Sequence, residues 1–256
     1  MNYLISAKTD IGTTRKTNQD SVSVRRYQTA AGPVAFVILC DGMGGLAKGE
    51  VASASMVNAL RNWGDQRIGA IAAQGLPFQT VKFEWTELIR SMNRKIQEYG
   101  AKSGISLGTT LTAGLFFRDQ LILVNVGDTR AYQLSDRLNL LTKDQTFVMR
   151  EVDLGHLTPE QAEKDERRSI LLQCIGASEE VYPDFFLIPV TPEELYLFCT
   201  DGFRHEITAQ EIFASLNPGE AQRQDVIGAR LQSLIDLNKS RRERDNITAA
   251  AVRTYA

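Results

Sequence analysis

Histidine is almost absent: only His156 and His205 occur in 256 residues, and the sequence HExxH does not occur. A multi-histidine zinc or iron centre therefore cannot be assembled. Cysteine is nearly as scarce. Cys40, Cys174 and Cys199 are odd in number and unrelated in spacing, which excludes a disulfide framework and leaves them as small apolar core residues. No apolar run approaches the roughly 20 residues needed to cross a bilayer. The start MNYLISAKTDIG lacks a basic segment followed by an apolar core, so a cytoplasmic protein is expected. An excess of one charge is missing too, with 29 Lys plus Arg against 31 Asp plus Glu and a formal net charge of -2. That balance offers no footprint for nucleic acid or an anionic membrane surface.

What remains is ordinary globular composition, 43% hydrophobic and 23% charged. No linker and no period of 20–50 residues interrupts it, so residues 1–256 read as a single domain. VAFVILC, residues 34–40, has a strand's composition and ends on Asp41, after which GMGG turns the chain into a helix from Gly49 with apolar positions Val51, Ala54, Val57 and Leu60. From Phe78 the steps Val81, Trp85, Leu88, Met92, Ile96 and Tyr99 mark one packed face of a long helix. Residues 108–142 change period, and their short apolar runs separated by RDQ, GD and SDR read as an antiparallel meander. Residues 146–170 are polar, with a helix from Thr158, and form a surface excursion. VIGARLQSLIDLN (226–238) reads as a helix, SRRERDN (240–246) as a solvated basic loop, and NITAAAV as a short strand.

Several carboxylates sit at strand ends or turns. Asp41 ends one apolar run and Asp201 another, in ELYLFCTDGF; Asp128 occupies the VGD turn, Asp245 precedes NITAAAV, and Asp20 closes RKTNQD. A lone aspartate in a turn needs no function, since its side chain bonds local backbone. Several ionised carboxylates at the ends of buried strands are different, because crowding them together is too costly without a cation. Oxygen donors select hard ions such as Mg²⁺ or Mn²⁺, and Gly42 lets the backbone come close enough to offer a carbonyl.

The motifs TDIGTTRKTNQD, CDGMGG, GTTL, VGDTRAY, LTKDQT, CTDGF and RDNIT stand in an order and spacing that resembles the type-2C, metal-dependent protein serine/threonine phosphatases of the compact bacterial branch, from about Thr9 to Val252. The resemblance implies an α+β fold, an αββα sandwich of two antiparallel sheets with helices outside, and a flap at 146–173. It implies that Asp41 bridges two ions of Mn²⁺ or Mg²⁺, that Asp201 and Asp245 complete the first site, that Gly42 serves the second through its carbonyl, and that Asp20 holds the second ion's waters. Arg15 matches the arginine that holds the substrate phosphate, a role suited to its bidentate fork. The implied chemistry is one displacement by a metal-activated water, without a protein nucleophile. A cysteine phosphatase is excluded, because the residues six after Cys40, Cys174 and Cys199 are Leu46, Glu180 and His205 rather than arginine.

Departures from the pattern are specific. Met43 stands where some members carry a histidine that protonates the leaving group, so water or another group must act as the acid. Gln145, Asp165, Glu166, Ser169 and Gln173 depart in or beside the flap, which bears on substrate preference and leaves the metal core intact. His205 replaces an aspartate that, with the counterparts of Asp128 and Asp201, builds a weaker third metal site. Imidazole there predicts a third ion bound more weakly or a tilt toward Mn²⁺; the alternative is a surface histidine at a helix start. The expected function is hydrolysis of phosphoserine and phosphothreonine in proteins by a monomer that opposes a Ser/Thr kinase. The alternative is a non-catalytic relative that recognises phosphoproteins or reports metal status. A nuclease is disfavoured by the charge balance and by the full motif order.

Overall fold

A strand that is apolar at every position needs cover on both faces. The chain provides it by stacking two antiparallel sheets and flanking the pair with helices. In order the elements are β1 (Asn2–Asp10), β2 (Ser21–Thr29), β3 (Gly32–Cys40), β4 (Gly42–Met43), α1 (Gly49–Ala73), α2 (Phe78–Ser103), β5 (Gly108–Thr109), β6 (Leu111–Phe117), β7 (Gln120–Val126), β8 (Arg130–Leu134), β9 (Leu138–Leu140), α3 (Phe147–Asp153), α4 (Pro159–Lys164), β10 (Asp184–Pro189), β11 (Leu195–Cys199), α5 (Ala209–Leu216), α6 (Gln224–Ser240) and β12 (Ile247–Tyr255). One sheet runs β1-β12-β11-β8-β9, the other β10-β7-β6-β3-β2, and β4 pairs with β5 in a short ribbon. The structure, a computed structural model, describes residues 1–43 and 48–256. The glycine turn expected after Asp41 therefore lies partly outside the described residues, at Gly44 and Gly45.

Three apolar layers hold the stack. Between the sheets pack Val37, Leu39, Phe116, Tyr196, Phe198 and Val252. Outside the second sheet, α1 and α2 bury Met56, Leu60, Trp63, Trp85 and Ile89. Outside the first, α5 and α6 bury Ile212, Leu231 and Ile235 against Leu197 and Cys199. Each such side chain contributes about 1.5–3 kcal/mol on burial. The sheets approach closely where a Cβ on Gly114 would stand 2.6 Å from the Phe198 ring. All three cysteines are buried and free, as their scarcity suggested.

The long apolar strands and helices fall where their periodicity puts them, with two differences. Leu88 is only partly buried, and Tyr99 stays exposed and accepts a hydrogen bond from Lys48. More consequentially, residues 108–142 are not one meander. β6 and β7 belong to one sheet and β8 and β9 to the other. The chain changes layer at Gly127, whose φ of 98° only glycine adopts without strain. That crossing places Asp128 between the sheets.

Four more chain segments meet it there. Asp20 precedes β2 and Asp41 follows β3 in the second sheet, while Asp201 follows β11 and Asp245 precedes β12 in the first. Asn246 ties this rim together: its amide donates to the carbonyls of Ile11 and Thr17, and its side-chain oxygen accepts the Gln19 N–H at 2.8 Å.

Candidate active site

Asp41 is positioned through its backbone. Its N–H donates to Thr110 Oγ1 at 2.9 Å, and its carbonyl accepts from Thr109 Oγ1 and the Thr110 N–H, both at 2.9 Å. Gly42 follows because three backbones converge: its N–H donates to the Gln19 carbonyl, and a Cβ there would stand 2.5 Å from that oxygen. Gly49, at the start of α1, is required for the same reason, since its own Cβ would lie 2.7 Å from the Gly42 carbonyl group. Glycine thus serves close backbone packing at this mouth, beyond the exposure of a carbonyl that the sequence suggested.

The structure brings together all the carboxylates singled out in the sequence. Thr200 Oγ1 donates to Asp20 Oδ2 at 3.2 Å across the two sheets, while Asp20 Oδ1 and Asp201 Oδ1 are buried without a hydrogen-bond partner among the described residues. Burial first, then the charges of Asp201 and Asp245, push the Asp20 carboxyl up to about 7 against the hydrogen bonds that favour its ionised form. Asp128 also rises to about 7, through burial and the charge of Asp201, with Arg204 working against them. Asp41 rises well above the ordinary carboxylate range, through desolvation and then the charges of Asp20, Asp201, Asp128 and Asp245. Carboxylates crowded so that Asp20, Asp41 and Asp128 are all pushed above the ordinary range, with orphaned buried oxygens and no histidine cluster, form a donor set fitted to a hard divalent cation.

Cations already attend one side of the set. Arg15 holds Asp245 in a fork, Nε to Oδ1 at 3.0 Å and Nη2 to Oδ2 at 2.7 Å. His205 lies between Asp201 and Glu243. Arg204 donates to the Asp128 carbonyl at 3.1 Å and faces Asp144, which Arg130 grips in a second fork at 2.8 and 2.7 Å. Arg15 engages both oxygens of Asp245, and among the described residues no three His, Cys, Asp or Glu side chains stand ready-made around one point. A divalent ion would have to take that carboxylate from the guanidinium.

Sequence reasoning missed Glu243, Arg204, Asp144 and Asn246. Asp144 and Arg130 lay in LTKDQT and VGDTRAY, and Glu243 lay in the basic loop read as solvated, where it is in fact buried. Two flap departures have structural uses. Gln145 accepts the Gly127 N–H and donates to Asp184, both at 2.8 Å, and the Gln173 amide pairs with both backbone groups of Tyr182. The flap itself carries α3 and α4, the latter beginning at Pro159 directly after its cap Thr158, where the sequence placed a helix start.

The profile of the Protein phosphatase 2C family matches residues 13–224. The protein phosphatase PhpP of Streptococcus pneumoniae is 32% identical over 211 residues, covering 81% of this chain and 82% of PhpP. The serine/threonine protein phosphatase PstP of Mycobacterium tuberculosis is 35% identical over 214 residues, 82% of this chain but 38% of PstP. A solved structure of the PstP catalytic domain in complex with two manganese ions superposes with a TM-score of 0.80 at 30% identity, over 99% of both chains. Motif order, αββα architecture and sequence match agree, and this chain belongs to the protein phosphatase 2C family.

Proposed function

We propose that the chain hydrolyses phosphoserine and phosphothreonine in proteins, reversing a Ser/Thr kinase, with Mn²⁺ or Mg²⁺ held by the rim carboxylates. The observation that carries this is the convergence of Asp20, Asp41, Asp128, Asp201 and Asp245 from both sheets, with the buried Oδ1 atoms of Asp20 and Asp201 unpartnered among the described residues. In this reading Asp41, Asp201 and Asp245 would hold the ions, the Gly42 carbonyl would be a further oxygen donor, and Asp20 would accept hydrogen bonds from water at the site. Bound there, the ions supply a water acidic enough to attack phosphorus near neutral pH. Relatives named as Ser/Thr phosphatases and the manganese complex of PstP support the assignment.

Arg15 is the phosphate clamp. Its fork already grips a carboxylate bidentately, and once Asp245 turns to a divalent ion the same two N–H groups take two phosphate oxygens in that geometry. Met43 offers no proton, so the leaving alkoxide takes one from water. Activity as a cytoplasmic monomer is part of the proposal; among the described residues no helix is long and apolar enough to cross a membrane. No observation favours the non-catalytic reading, since Asp41, Asp201 and Asp245 all reach the site.

The test is turnover of para-nitrophenyl phosphate and of a phosphothreonine peptide with Mn²⁺. EDTA should abolish it, and Asp41→Asn should lower kcat by about 10³-fold, the scale of removing a preorganised charge from a reacting centre. Turnover indifferent to metal would overturn the proposal.

A further inference from the structure

The active-site mouth carries more positive charge than its own carboxylates use. Residues 10–18 and 239–245 contain six cationic and three anionic side chains, in a chain whose formal net charge is -2. The two segments are stitched into one surface. Thr13 Oγ1 donates to the Glu243 carbonyl at 2.6 Å, the Asn246 amide donates to the carbonyls of Ile11 and Thr17, and a Cβ on Gly12 would stand 2.1 Å from the Asp245 carbonyl oxygen. Three of the cations are spent locally. Lys239 pairs with Asp10, Arg15 with Asp245, and Arg241 with Glu211 of α5, while the buried Glu243 faces His205. Lys16, Arg242 and Arg244 are exposed and have no ion pair among the described residues.

Arg242 stands where an arginine is disfavoured. It follows α6 with a φ of 70°, in a turn closed by its own N–H on the Lys239 carbonyl at 3.0 Å and the Glu243 N–H on the Asn238 carbonyl at 3.1 Å. A helix that ends in this pair of bonds usually has glycine at that position, because a side chain there is strained. The chain keeps a charge at a backbone cost, and such strain is held mainly at functional sites. Lys16 directly follows the phosphate clamp Arg15, and Arg244 directly precedes its partner Asp245, so each Cα lies about 3.8 Å from that of a clamp residue. We propose that Lys16, Arg242 and Arg244 form a basic rim that selects phosphopeptides with acidic side chains flanking the phosphorylated residue. This deepens the phosphatase reading and rests on it. Charges act over about 10 Å at 0.1 M salt, roughly three residues of extended peptide. The acidic positions therefore fall within about three residues of the phosphate.

Three phosphothreonine peptides of one length test this, with acidic, neutral or basic flanks, each turned over by the Mn²⁺-loaded chain. At low salt the acidic peptide should exceed the neutral one by about 10-fold in kcat/KM, at about two- to threefold for each exposed charge pair, and the basic peptide should be the poorest. High salt should compress the series. Arg242→Gly removes a charge and relieves the left-handed backbone, so the preference should fall about two- to threefold while the melting temperature holds or rises. Joined to Lys16→Ala and Arg244→Ala, it should abolish the preference. The ratio is read within each variant, so a general loss of activity cancels. Equal kcat/KM for the three peptides in the wild type, or a preference unchanged in the triple variant, would overturn the inference and leave the phosphatase reading standing. No turnover of any peptide with Mn²⁺ would remove both.

Discussion

The two halves of the carboxylate rim are built on different electrostatic plans. Asp245 and Asp128 each have a cationic side chain close by, in Arg15 and Arg204, and Asp201 has the His205 ring. Among the described residues Asp20 and Asp41 form no ion pair, and one Asp20 oxygen has no partner. In the attended half the protein carries its own positive charge; in the other it relies on what binds. A rim neutralised throughout would hold itself together without an ion, and one bare throughout would resist folding.

The largest test of this contrast removes the guard. Arg15→Ala should lower kcat/KM by about 10²-fold, by loss of phosphate capture, and should leave the melting temperature nearly unchanged because the Arg15 side chain is 49% exposed. An unchanged kcat/KM would show that Arg15 serves Asp245 alone.

Next in size is the pH response. Asp20 and Asp128 titrate near 7 in the fold against an ordinary value of 3.8. Groups raised in this way stabilise the fold fully below that ordinary value, and the contribution is lost as pH rises through the folded value. EDTA-treated protein should therefore lose thermal stability between pH 5 and 7, with a fall in Tm on the order of 5 °C. Saturating Mn²⁺ should flatten the profile, because binding to the folded state adds about 2.7 kcal/mol at a hundredfold excess over Kd. A profile in EDTA that rises with pH over this window would contradict the bare half.

The smallest test compares the halves directly. In EDTA at pH 7.5, Asp41→Asn should raise stability by on the order of 1 kcal/mol by relieving like-charge crowding. Asp245→Asn should lower it by less than about 1 kcal/mol, through loss of a partly exposed ion pair. Equal signs in the two melting curves would dissolve the distinction.

Much of this was legible in the sequence because it lies in strand ends and turns. An apolar run closing on an aspartate shows both the buried strand β3 or β11 and the carboxylate at its mouth. The strands β1, β2 and β10 were less visible, being half-buried and mixed in character. The layer change at Gly127 was not legible either, since local periodicity does not say which sheet a strand joins. Glu243 and Arg204 were missed for a related reason. Within SRRERDN a glutamate reads as one charge among many, and only the fold turns it inward under His205.

The rim draws ligands from both layers of the sandwich, with Asp20 and Asp41 from one sheet and Asp201 and Asp245 from the other. Any cation seated among them acts as a clasp across the seam. Loading would stiffen the sandwich along that margin, and chelation would let the layers breathe apart there first, so amide exchange should quicken at Thr200 and Thr248 before it does deep in β6.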